Sequence, residues 1–348
     1  MMKSNSKIKL IINIALLVAI FGVMYYLLRG SLTEIFIELK DTSLAVVLGV
    51  LFLGTLYQVL EGYSIKEIAT VFQPRFRGID GLWTASYSAF YRFITFGAGT
   101  LISEVNFYRK KDLHISQGIG VTALHMIMYK AAVLTYALVG LIIQFSLFYA
   151  HAPKMIPFIL AGMILTFVII AFLIILSVSV RLQVLFVQIS HRLFKSEKLR
   201  GIVDKCNVQI YSLRETMYRV LKDRTAMLRI YLWNLIKLIA WYLIPYVVLV
   251  NGHPELDFLL SFALISFTVI LAGVIPSPAG IGSFEFVYLL LFRPLVGTVD
   301  AVSSMLLYRF ASYIWPFLIG FVYILAEKRK VIRTEIKEIK KENSTESE

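Results

Sequence analysis

Six apolar stretches of about twenty residues, 8–28, 43–65, 117–143, 156–180, 229–250 and 302–326, govern what this chain can become. A hydrocarbon core about 30 Å thick offers backbone amides no water, so helices of about 20 residues or closed barrels are the structures that cross it. Stretches of this length and evenness read as spanning helices. Composition agrees, since 58% of the 348 residues are hydrophobic and 16% are charged, against about 25% charged in soluble domains. The expected fold class is all-α, polytopic and membrane-embedded. The first stretch is long for a signal-peptide core, and "YYLLRGS" after it holds no small-residue cleavage pattern, so it is expected to remain as a helix.

Two further apolar stretches, 82–108 and 257–296, are interrupted near the middle by Gly or Pro. Charge decides whether they cross. If both turn back, the basic loops 66–77, 109–111 and 181–229 share one side with Lys3, Lys7, Lys9 and the tail "EKRKVIR", as the positive-inside rule requires. If the first crossed, the Arg-Lys-Lys at 109–111 and the eleven Lys or Arg of 181–229 would face outward. The expectation is six spanning helices plus two re-entrant helical hairpins, one dipping from the cytoplasm and one from outside, with both termini cytoplasmic. A single transmembrane domain then covers 1–326, and a charged cytoplasmic tail covers 327–348.

The order helix, helix, hairpin, helix occurs twice, in halves of about 8–143 and 156–326, with opposite orientation. "FGAGTLISEVNFY" (96–108) aligns with "SPAGIGSFEFVYL" (277–289), sharing Ala98, Gly99 and Glu104 with Ala279, Gly280 and Glu285. Downstream, "MIMYKAA" (126–132) matches "MLLYRFA" (305–311). Inverted repeats of this kind accompany alternating access, with a binding site near the midplane where broken segments meet. The expected breaks are Gly97 and Gly99 in the first half and Pro276, Pro278, Gly280 and Gly282 in the second. Unwound backbone at that depth costs several kcal/mol per unpaired polar group, and the helix beginning near Gly282 would aim free N–H groups at an anion such as phosphate.

Ionisable groups inside spans are candidates for function. Here they are Glu61, Arg92, Glu104, Lys130, Glu285 and Arg309, with Lys237 expected to snorkel toward the cytoplasmic end of its helix. Each half sets a glutamate after its break and a base on the next helix, which predicts pairs Glu104–Lys130 and Glu285–Arg309. Two readings of these pairs stand: salt bridges locking hairpin to helix, or a site where a lipid head group competes for both charges.

Other chemistries find little support. Walker-type phosphate loops are missing, no metal-ligand spacing joins His114, His125, His151, His191 and His253, and no Ser-His-acid arrangement is legible. No cofactor and no metal are expected. Cys206 is the single cysteine, so no intramolecular disulfide forms. The net charge of +13 gathers in a few loops, which points to anionic lipid and not to nucleic acid. The 181–229 loop reads as an amphipathic, partly helical segment on lipid or a dock for a cytosolic partner.

At "IPSPAGIGSFE" together with "LLYRFASYIWPFLIG" the chain resembles the lysylphosphatidylglycerol synthase transmembrane family, a flippase-like domain also fused to synthases that aminoacylate phosphatidylglycerol. The family pattern P-x-P-G-G-x-G-x-x-E falls on Pro276, Pro278, Gly280, Gly282 and Glu285, and the basic residue of its last helix on Arg309. Ala279 stands where a Gly is usual, and Phe96 where the first-half motif often has Pro. The resemblance implies movement of a lipid, such as an aminoacylated phospholipid or a polyprenyl-linked sugar, between leaflets of a bacterial plasma membrane. It also implies that lysyl transfer belongs to a separate soluble domain, so this chain is expected not to catalyse it. The alternatives are the membrane component of a phosphatidylglycerol lysyltransferase, linked to cationic-peptide resistance, and a proton-coupled carrier of a small solute. A homo-oligomer or a lipid-synthase partner is compatible with each.

Overall fold

The computed structural model describes residues 37, 38, 40, 42–151, 153–193, 196–275, 277, 280 and 282–345. Every regular element among them is a helix. In chain order these are α1 (Leu44–Ala69), α2 (Gly78–Ile94), α3 (Thr100–Arg109), α4 (Ile115–Ile143), α5 (Phe145–His151) and α6 (Met155–Val178). There follow α7 (Val180–Leu193), α8 (Glu197–Leu221), α9 (Arg224–Leu249), α10 (Phe258–Val274), α11 (Ser283–Arg309), a π-helical turn (Phe310–Ile314) and α12 (Trp315–Thr345). Five segments are long and apolar enough to cross a bilayer: α1, α4, Met155–Ile175, α9 and Ser283–Thr334. The predicted span 8–28 lies outside the described residues, as do Pro276 and Pro278. The outer faces are apolar, with Phe158, Ile164 and Phe167 of α6 each more than half exposed. Water would not tolerate such a surface, but hydrocarbon does.

The interrupted stretches each form an antiparallel pair. α2 has 17 residues and α3 has 10, about 26 Å and 15 Å at 1.5 Å per residue, each short of a 30 Å core. They run antiparallel, because Ser88 meets Glu104 and Tyr87 meets Phe107. The turn between them is made by Phe96 and Gly97, both at positive φ (51° and 90°). Gly97 N–H caps the carbonyl of Arg92 at 2.8 Å, a C-terminal closure that favours glycine. Phe96 takes the left-handed conformation without that licence, a local strain. Gly99 has an ordinary helical φ and is the N-cap of α3.

The second pair is α10 with residues 283–296. The long helix α11 is broken at Gly297 (φ 79°, ψ 173°), beyond Pro294. From there 298–309 doubles back along 283–296, bringing Ser304 to Tyr288 and Arg309 to Glu285. This places the last turnaround three residues after Pro294, at the C-terminal end of the apolar stretch 257–296.

Contacts at the helix ends sort the loops into two sets. At one end Arg229 meets Glu67 (3.2 Å), Lys111 meets Asp80 (2.7 Å) and Lys110 meets Glu327 (2.6 Å). At the other, His253 meets Asp300 (2.7 Å) and Ser303 donates to Glu38. The α2–α3 pair therefore starts and finishes at the basic end, and the α10–α11 pair at the opposite one.

Close approach fixes the centre. α1 crosses α2 at Gly62 and Gly81, where a Cβ on Gly81 would fall 2.0 Å from the Gly62 carbonyl oxygen. The segment 181–229 is helical: α7 and α8 pair through Gln183 and Asn207 (2.7 Å). α8 buries Leu213, Met217 and Val220 in one cluster with Val121 and Leu124 of α4, so one face of this basic segment is held by protein.

Candidate functional site

Glu61, Arg92 and Glu104 come together. They line one cavity of ≈ 70 Å³ with Gln58, Ser88 and Thr100, between α1, α2, α3 and α9. The stacked rings of Tyr57 and Trp241, 3.6 Å apart, form its wall. That volume holds a few waters and a polar lining keeps it wet.

The Glu104 carboxylate is held by two hydroxyls, Ser88 (2.8 Å) and Thr122 (2.7 Å). The predicted Glu104–Lys130 pair does not form. Hydroxyls on α2 and α4 already supply the donors, and the Lys130 ammonium instead lies against Gly273 of α10, 2.8 Å from where a Cβ there would be. Arg92 has no carboxylate within salt-bridge distance among the described residues, and its Nε is buried without a hydrogen-bond partner.

The predicted Glu285–Arg309 pair does form. Arg309 Nε donates to Glu285 Oε1 at 2.6 Å, and Nη2 donates to the carbonyl of Gly280 at 2.6 Å. Gly280 and Gly282 sit at positive φ, 72° and 87°. The other Glu285 oxygen accepts from the Gly282 N–H at 2.7 Å, the back-bond of a helix-capping acid three residues into its helix. The anion seat expected at this helix start is thus taken by the chain's own carboxylate.

Tyr313 joins the two breaks and was not singled out in the sequence. Its ring lies 5.7 Å from the Arg92 guanidinium and 5.9 Å from that of Arg309, and it packs on Phe93. Its hydroxyl is buried without a partner. It stands on the π-helical turn, where Pro316 denies the Ser312 carbonyl its usual donor. That proline, four residues after the carbonyl it leaves open, was the available signal. One phenol and two guanidiniums, Arg92 of α2 without a carboxylate and Arg309 of the 298–309 segment bonded to Glu285, form an aromatic patch with cationic groups suited to an anion.

Lys237 does not snorkel. It is wholly buried and its ammonium donates to Glu61 Oε2 at 2.5 Å. His125 Nε2 lies 3.0 Å from the Lys237 ammonium and 3.3 Å from the same Glu61 oxygen. Among the described residues no three His, Cys, Asp or Glu side chains converge as a metal site would need.

Outside the spans, burial alone would push the Asp80 carboxyl up. Hydrogen bonds from Lys111 and the Arg77 amide, with the charges of both, outweigh burial and hold it below the usual carboxylate value. The hydrogen bond to Asp300, then that to Glu255, raises His253 above the ordinary histidine value.

No curated protein matches the chain. A family model described as "Lysylphosphatidylglycerol synthase TM region" matches residues 10–320. Membership and the run of long apolar helices together make this a multi-pass membrane protein, and the chain belongs to the lysylphosphatidylglycerol synthase TM-region family.

Proposed function

We propose that this protein is a flippase of bacterial plasma membranes that passes an anionic, phosphate-bearing lipid head group between leaflets, with acyl chains remaining in the bilayer. In this reading the α2–α3 and α10–α11 pairs are re-entrant, one from each face, and both termini are cytoplasmic. The observation that carries it is Arg92, a cation without an acid partner beside a polar cavity, sharing the Tyr313 ring with Arg309, the residue that holds Glu285 of the opposed pair. A half-buried charge without an acid partner at membrane depth, its Nε buried and unsatisfied, is costly unless something satisfies it, and a lipid phosphate is the available anion. Ligand pockets usually measure about 300–1,000 Å³, so a cavity of ≈ 70 Å³ corresponds to a closed form, and the breaks must part to admit a head group.

Fluorescently labelled phosphatidylglycerol in vesicles reconstituted with the full chain tests this. The wild type moves the label between leaflets, and Arg92→Gln and Arg309→Ala each lower the rate at least about tenfold, the loss of one charge-assisted contact of roughly 1.5–3 kcal/mol. Equal rates in protein-free vesicles and in all variants would end the proposal. A second reading, the membrane component of a synthase whose catalytic part acts on the lipid, draws support from the family description and from the basic helices α7 and α8. Both readings assign lysyl transfer to another domain. Loss of lysyl-lipid synthesis on deletion, with leaflet distribution unchanged, would favour the second.

A further inference from the structure

Glu61, His125 and Lys237 stand on three separate spans, α1, α4 and α9, and form a closed triangle against the cavity wall. The edges are 2.5 Å (Lys237 Nζ to Glu61 Oε2), 3.0 Å (Lys237 Nζ to His125 Nε2) and 3.3 Å (His125 Nε2 to Glu61 Oε2). Nε2 carries a lone pair or a proton, never both. With its lone pair free and the ring proton on Nδ1, Nε2 accepts from Lys237 and offers Glu61 nothing. As N–H it donates to Glu61 and turns a positive edge toward an ammonium 3.0 Å away. Protonation therefore exchanges one partner for the other and leaves two cations on one carboxylate.

The neighbouring charges decide the consequence. Facing the cavity are Glu61 from α1, Arg92 from α2 and Glu104 from α3. Lys237 of α9 stands behind Glu61, above the uncharged Tyr129 ring at 5.2 Å. Lys130 of α4 is turned to Gly273 of α10. While His125 is neutral, Glu61 and Glu104 match Lys237 and Arg92 in number, but only Lys237 is in contact with one of the carboxylates. Once His125 takes a proton, one positive charge is uncompensated beside a cavity whose own arginine already lacks an acid.

We propose that His125 is a proton-binding site linked to anion binding in this cavity, taking up a proton from solvent as a phosphate head group enters and releasing it as the head group leaves. The proposal rests on the head-group reading above. Histidine is the side chain whose charge ordinarily changes near neutral pH, Glu61 and His125 retain 15% and 12% side-chain exposure, and linkage between two ligands is reciprocal.

Binding of fluorescent phosphatidylglycerol to the purified full chain in detergent, at pH 6 and pH 8, tests it. The wild type binds about tenfold more tightly at pH 6, a modest coupling, while His125→Gln and His125→Asn bind equally at both. In the unmutated protein the lipid also raises the pH midpoint of the His125 ring signal in NMR. A flat wild-type profile, a midpoint unmoved by lipid, or a pH-dependence surviving in both variants would overturn the linkage. Lipid moved in vesicles with flat binding sinks the linkage alone, pH-linked binding without movement sinks transport alone, and absence of binding at both pH values overturns linkage and head-group site together.

Discussion

Lys237 sits thirteen residues into α9, about 20 Å along the axis, too deep for its four-carbon stem to reach the interface. Its partner Glu61 lies 176 positions earlier, and no local spacing announces the pair. What the sequence did offer was an acid alone on one span and a base alone on another, each obliged to find a partner. The Glu285–Arg309 pair was legible because its residues recur at similar spacing in the other half. The same argument failed for Glu104 because Ser88 and Thr122 satisfy that carboxylate without a cation, and hydroxyls carry no periodic signature. At pH 8, where a histidine is mostly neutral, Lys237→Met strands Glu61 and costs about 3–5 kcal/mol. Thermal unfolding in detergent should record that loss, with recovery in the Glu61→Gln/Lys237→Met double variant. A double variant no more stable than the single one would mean that pairing is not what Lys237 provides.

Among elements, the long apolar helices were plain in the hydropathy, and the interruptions at 95–99 and 275–282 were located by Gly and Pro. The break at Gly297 was not among the expected ones, because a helix that resumes at once on the far side of one left-handed residue leaves no polar run to mark it. The root of the α10–α11 pair is clamped by His253, with Nε2 on Asp300 (2.7 Å) and Nδ1 on Glu255 (3.1 Å). Two carboxylates require both ring nitrogens to donate, which is the imidazolium. Because the Asp300 bond raises the His253 pKa, the clamp contributes fully below the ordinary histidine value and is lost as pH rises through the shifted one. Wild type and Asp300→Asn should therefore differ in melting temperature at pH 6 and converge by pH 9. A gap that widens toward pH 9 would contradict the assignment.

For the molecule as a whole, the split of loops into a basic and an opposite end follows the charge pattern of the sequence, and the salt bridges at each end give it a geometric form. The docking of 181–229 onto α4 was not legible, since an amphipathic helix looks the same whether its apolar face meets protein or lipid. Topology can be read by labelling. Cys206 on α8 is exposed, and Val299 beside the Gly297 break is 80% exposed. In the proposed orientation an impermeant maleimide reaches Cys206 only in inside-out vesicles, and Val299→Cys, in a chain lacking Cys206, only in intact cells. Labelling of both positions from one side would refute opposed entry of the two pairs. Ionic ties hold the outer extremities of both pairs, Lys111 with Asp80 and Lys110 with Glu327 at one end and His253 with Asp300 at the other, while Arg309 with Glu285 ties the inner end of the second pair. Each pair is thus anchored like a drawbridge at its bank; the end at Gly97 carries no ionic latch among the described residues, whereas the end at Gly280 is latched by Arg309 through Glu285 and the Gly280 carbonyl.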